Sequence, residues 1–151
     1  MEDLRELYQS VILDHNKSPR NFGMLDSANR QADGFNPICG DKLTVYLDVD
    51  DKGVVSNATF DGEGCAISTA SASLMTEFVK GKALPEIADA FDRFHDLVTG
   101  PANESVSDPG LGKLAVFSGV REFPVRVKCA TLSWHTLNAA IENSSETAKT
   151  E

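Results

Sequence analysis

Apolar residues at Leu43, Val45, Leu47 and Val49 alternate strictly with Thr44, Tyr46 and Asp48. Successive side chains on a strand point to opposite faces, so this period predicts a strand with one buried face and excludes a helix there. Asp50-Asp51-Lys52-Gly53 supplies a turn, and residues 54–60 read as the returning strand, with Val54, Ala58 and Phe60 on one face. Residues 43–60 therefore form a hairpin, to which residues 30–35 add an edge strand. Beyond Gly62-Glu63-Gly64 the period becomes helical: Ile67, Ala70, Leu74 and Phe78 fall on one face, and Gly81 is a C-terminal stop.

Helices also bracket this core. Leu4, Leu7, Val11 and Ile12 recur at helical spacing ahead of Asn16-Lys17-Ser18-Pro19, which ends that helix. Pro85-Glu86 opens another, with Ile87, Phe91, Phe94 and Val98 inward, and Gly100-Pro101 breaks it. Residues 100–110 read as a surface loop, followed by a short apolar connector at about 111–117. The last helix carries Ala130, Trp134, Leu137 and Ile141 on its inner face. The predicted fold is α+β, a small antiparallel sheet of about three strands packed against helices.

The 151 residues, 41% hydrophobic and 25% charged, fit a single domain over residues 1–142, with residues 143–151 a flexible polar tail. A net charge of −9 opposes binding to a phosphate backbone, so nucleic acid is excluded as a partner. No apolar stretch is long enough to cross a membrane, and the N-terminus lacks a signal peptide, so the expected location is cytoplasmic. Three cysteines, an odd number spread along the chain, are expected as reduced thiols rather than a disulfide framework.

Those cysteines carry the chemistry. In Cys39-Gly40-Asp41, side chains at i and i+2 of an extended segment point the same way, so a thiolate and a carboxylate reach one ion, and Gly40 lets the backbone turn between them. Cys65 follows Gly64 at a predicted helix N-terminus, where unpaired N–H groups favour a thiolate. Cys129 has Lys128 beside it and Arg126 nearby, cations that favour its ionised form. Three thiolates and a carboxylate make a tetrahedral set suited to zinc. No two of the cysteines are a few residues apart, so this is not a zinc finger and only the fold can assemble the site. Judged singly, each cysteine reads more readily as a small buried hydrophobe than as a ligand, and Lys128 and Arg126 read equally as solvated charges. Trp134 reads as core, and His15, His95 and His135 are left out of the site.

The segments Asn36-Pro37-Ile38-Cys39-Gly40-Asp41, Gly62-Glu63-Gly64-Cys65-Ala66-Ile67-Ser68 and Arg126-Val127-Lys128-Cys129-Ala130-Thr131-Leu132-Ser133-Trp134 resemble the three cysteine motifs of the U-type iron–sulfur assembly proteins, the IscU and NifU N-terminal-like family. The likeness extends to Asp14-His15-Asn16-Lys17-Ser18-Pro19-Arg20-Asn21 and Ser71-Ala72-Ser73-Leu74-Met75, and so to nearly the whole chain. Lys128, where the scaffold branch has histidine, and an extra segment around residues 103–119 are similar to the SufU branch. The resemblance implies zinc held by Cys39, Asp41, Cys65 and Cys129. It also implies a pyridoxal-phosphate cysteine desulfurase (SufS-like) as partner and downstream assembly machinery of the SufBCD type. On that reading Cys39 accepts sulfur from the desulfurase persulfide by thiol exchange, and Arg126 holds the freed thiolate. The alternatives are a scaffold on which a [2Fe-2S] cluster is built by the same ligands, and a noncatalytic zinc-stabilised binding module. A cysteine hydrolase is disfavoured, because no histidine sits in a nucleophile context.

Overall fold

The computed structural model describes residues 4–37, 40–100, 109–142 and 148–149. Its elements run α1 (Leu4–Lys17), β1 (Arg30–Asn36), β2 (Asp41–Val49), β3 (Val55–Glu63), α2 (Ala66–Val79), α3 (Leu84–Thr99), a 3-10 segment (Pro109–Glu122), α4 (Pro124–Ile141) and β4 (Ala148–Lys149). The sheet order is β3-β2-β1-β4. β1 and β2 pair antiparallel from Arg30 opposite Leu47 to Asn36 opposite Asp41, and β2 and β3 from Lys42 opposite Glu63 to Val49 opposite Val55. The α+β architecture with three antiparallel strands follows from the alternation read above. Of the polar tail, Ala148 and Lys149 are described, and they pair in parallel with Gly34 and Phe35.

Leu43, Val45, Leu47 and Val49 are all buried, as their period requires. The returning strand departs from the simple reading. A bulge at Asp48/Val49 pairs Asp48 with Asn57 but Val49 with Val55, and the extra residue shifts the phase. Val55, not Val54, therefore joins Ala58 and Phe60 in the core.

Two helices cover the inner face of the sheet closely. A Cβ on Gly34 would lie 1.9 Å from Thr136 Oγ1, so only glycine lets α4 approach β1 this far. Between α2 and α4, Ser71 Oγ donates to Ala130 O at 2.6 Å and lies 3.3 Å from Ser133 Oγ, so hydroxyls rather than bulky side chains line the seam. Behind it Trp134 stacks on Phe94 with centroids 5.0 Å apart and packs against Phe91 and Phe78. Ala130 and Leu137 are buried with it, and Ile141 is half-buried.

The segment after α3 is more than a connector. Leu111, Leu114, Val116, Phe117 and Val120 are buried, Phe117 meets Phe94 edge-on at 5.9 Å, and Arg121 Nε donates to Leu97 O at 2.6 Å, closing the C-terminus of α3. Most of the loop expected at 100–110 lies outside the described residues. Among the described residues no helix is long and apolar enough to cross a membrane.

α1 and the turn after it are fastened to α2 by a buried polar knot. The side chains of Leu4 and Leu7 lie outside the described residues, while Ile12 is buried and Val11 half-buried. Ser73 Oγ accepts the Arg20 N–H at 2.8 Å, which leaves its proton for His15 Nδ1 at 2.7 Å. Asn21 Nδ2 donates to Thr76 Oγ1 at 3.1 Å, and Arg20 reaches back to Asp14 at 2.8 Å. His15 is 2% exposed, and burial, with the Arg20 charge adding to it, pushes its pKa below the ordinary 6.5.

Two outcomes follow for stability, both readable from urea unfolding with Trp134, the single tryptophan, as probe. Ser73→Ala strands the His15 ring nitrogen and the Arg20 amide and is expected to cost about 1–3 kcal/mol. The unfolded chain protonates His15 below 6.5 whereas the folded chain resists, so stability should decline as pH falls through 6.5, and less steeply in His15→Gln. Parallel pH slopes in the two proteins would show that His15 is not held neutral.

Candidate metal centre

Asp41 opens β2 with the same inward parity as Leu43, Val45 and Leu47, which sends a carboxylate into the interior, where it is 1% exposed. Its Oδ1 accepts the Cys65 N–H at 2.8 Å and its Oδ2 accepts Asn36 Nδ2 at 3.2 Å. Gly64 makes room for this contact. A Cβ there would lie 3.0 Å from Asp41 Oδ1 and 3.3 Å from Ser68 Cβ.

Cys65 is the N-cap of α2, with extended backbone (φ −69°, ψ 170°), and its sulfur accepts the Ser68 N–H at 3.4 Å. Cys129 lies one turn into α4, is 3% exposed, and has Asn36 Nδ2 3.7 Å from its sulfur. A carboxylate oxygen of Asp41 and the sulfurs of Cys65 and Cys129 all lie within 4.8 Å of one another. Donors around a tetrahedral zinc stand about 3.6–3.8 Å apart, so a small inward adjustment of these side chains suits the ion, and two sulfurs with one oxygen are a donor set that zinc accepts. A hydrogen bond from the Cys129 thiol is the main cause that lowers the Cys65 pKa to about 6. Burial and the Asp41 charge work against it, and the Ser68 and Ile67 amides at the helix start work with it.

Of the residues singled out in the sequence, Asp41, Cys65 and Cys129 are thus brought together from β2, the start of α2 and α4. Cys39 lies outside the described residues. Its neighbour Gly40 has φ +75° and donates its N–H to Asn36 O at 2.8 Å, a turn into Asp41 of the kind a glycine allows. Arg126 is exposed on the first turn of α4, its guanidinium carbon 4.9 Å from the centre of the Phe123 ring, and Lys128 is half-buried. The histidines stay out of the centre. His15 binds Ser73, while His95 and His135 flank the Phe91 ring.

Asn36 was not singled out by the sequence reading. β1 runs one residue beyond the predicted 30–35, and that residue is the cross-strand partner of Asp41, a relation that only the register reveals.

Residues 7–130 match the profile of the NifU-like N terminal domain. The chain is 43% identical over 141 residues to the zinc-dependent sulfurtransferase SufU of Bacillus subtilis, covering 92% of each chain. It is 40% identical over 146 residues to the iron-sulfur cluster assembly scaffold protein IscU of Streptococcus pyogenes, covering 95% of this chain and 88% of that one. The fold superposes with a TM-score of 0.81, at 31% identity, on the crystal structure of a putative iron-sulfur cluster assembly scaffold protein for the SUF system from Fervidobacterium islandicum, over 91% of this chain and 98% of that one.

The Cys65 environment is testable by alkylation of metal-free protein with iodoacetamide, followed peptide by peptide in a mass spectrometer. Since the thiolate is the nucleophile, the rate at Cys65 should fall to half near pH 6. A midpoint near the ordinary 9.0 would mean that Cys129 and the helix amides do not hold the thiolate.

Proposed function

The chain belongs to the NifU-like N-terminal domain family of iron–sulfur cluster assembly proteins, and from that premise we propose that it is a zinc-dependent sulfur acceptor that takes persulfide sulfur from a cysteine desulfurase of the SufS type. The observation that carries this reading is the convergence of Asp41, Cys65 and Cys129 within 4.8 Å, two of them buried. Cys39 completes the ligand set. Covalent geometry keeps its Cα within about 3.8 Å of Gly40 and two residues from Asp41. Bound zinc would keep the cysteine sulfurs ionised yet shielded from wasteful oxidation.

The transfer itself belongs to the chain's own side chains. The Cys39 thiolate attacks the outer sulfur of the desulfurase persulfide; the S–S bond breaks, the desulfurase thiolate leaves, and Cys39 carries the new persulfide without net oxidation or reduction. Gly40, exposed and with nothing within 4 Å of where a Cβ would be, leaves room for an incoming persulfide. Arg126 lies three residues before Cys129, hence on the same side of α4, and swings from Phe123 to hold the Cys39 thiolate. Assembly machinery of the SufBCD type would then receive the sulfur. A second reading, the [2Fe-2S] scaffold, is supported by the scaffold names of two relatives and uses the same ligands.

Anaerobic incubation of zinc-loaded protein with desulfurase and cysteine, read by intact mass, should give a single added sulfur and faster desulfurase turnover. Cys39→Ser should abolish both. If Cys39→Ser still takes up sulfur at the wild-type rate, the acceptor assignment is wrong. A stable, transferable cluster formed in preference to zinc would turn the assignment to the scaffold. Arg126→Ala should slow sulfur uptake by about tenfold with zinc content unchanged, the loss expected for one charge-assisted contact.

A further inference from the structure

Asn36 is fully buried (0% exposed) and ends β1 directly opposite Asp41. Its side-chain amide has two hydrogens, and two members of the proposed ligand set lie within reach of the one nitrogen: Asp41 Oδ2 at 3.2 Å and Cys129 Sγ at 3.7 Å. Asp41 Oδ2 is also the oxygen that faces the thiols, 4.0 Å from Cys65 Sγ, while Oδ1 is turned to the Cys65 amide. The Asn36 backbone carbonyl, meanwhile, accepts the Gly40 N–H at 2.8 Å.

We propose that Asn36 is a positioning residue of the metal centre, its amide fixing Asp41 and Cys129 together so that a divalent ion of the zinc class meets both at once. The proposal rests on the metal-binding reading above. Two physical effects operate. Three thiolates and a carboxylate around a divalent ion leave an excess of two negative charges, and each N–H donated to a ligand atom draws off part of that excess. The shared amide also ties β2 to α4, so either ligand that rotates away gives up its own contact with Asn36. Asparagine suits this position better than its isosteres. Aspartate would aim a third carboxylate oxygen at two anions, and leucine would fill the space with no donor at all.

The test uses the full chain, stripped of metal and titrated with cobalt(II) and with zinc against a chromophoric chelator. Wild type should give the intense visible bands of a tetrahedral cobalt site with sulfur ligands. Asn36→Leu should bind zinc about 10- to 100-fold more weakly and shift those bands, the usual consequence of losing a partner that orients metal ligands. Asn36→Asp should be weaker still. The metal-free urea midpoint, followed through Trp134, checks that each variant folds; Asn36→Ser, smaller and still a donor, should recover part of the affinity and replaces Asn36→Leu if that variant does not fold. Unchanged affinity and unchanged cobalt bands in the folded variants would overturn the role of Asn36 while leaving the metal site standing. Failure of wild type to bind either ion would instead remove the metal-binding reading itself.

Discussion

A carboxylate that is 1% exposed has lost its hydration, and in a protein interior that loss amounts to several kcal/mol unless donors or a cation replace the water. Asp41 recovers it from two directions: the Cys65 amide, which is the first free N–H of α2, and the Asn36 amide at the end of β1. Those two contacts set the distance between the hairpin and the helix start. They also explain Gly64, since any side chain there would press on the carboxylate. The same arrangement gathers negative charge, because Cys65 ionises easily and Cys129 lies against it. A pocket with this balance suits a cation.

The third member of the cluster, Cys129, comes from α4, and its arrival depends on how closely α4 packs. Ser71, Ser133 and Thr136 are small enough to let α4 lie against both α2 and β1; the Ser71 and Thr136 hydroxyls donate to the Ala130 and Leu132 carbonyls, and Ser133 Oγ pairs with Ser71 Oγ, so these hydroxyls stay partnered at close approach. Gly34 removes the last obstacle on the sheet side. The aromatic cluster of Trp134, Phe94, Phe91 and Phe78 lies farther along α4 and supplies the apolar burial that holds the helix in this position. Packing at one end of α4 thus places a thiol at the other.

Periodicity made most of the fold legible. Strict alternation over residues 43–49 fixed the inward face of β2, and by the same parity Asp41 was already committed to the interior. Two features escaped because they are not periodic: the bulge that exchanges Val54 for Val55, and the core-filling turn at Pro109–Glu122, whose Gly112 kink interrupts any helical repeat. For the site, local signals placed Cys65 at a helix start, and it is the N-cap of α2. The convergence of Cys65 with Cys129 was not legible from spacing at all, because 63 intervening residues say nothing about it; family resemblance brought those two together. Asn36 escaped because its role depends on register, and register is a property of two strands rather than of one.

The position before the third cysteine bears on which chemistry the centre favours. Where the scaffold branch carries histidine, this chain has Lys128, whose ammonium offers three donors and no lone pair for a metal. It turns about 100° around α4 from Cys129 and is half-buried. A lysine there offers no lone pair to an ion, whereas an imidazole in that position would offer another ligand atom. The three candidate donors that the structure describes, Asp41, Cys65 and Cys129, are each tied to backbone or to Asn36. Were an ion bound, these three donors would give it up least readily, since each release would break a contact within the fold.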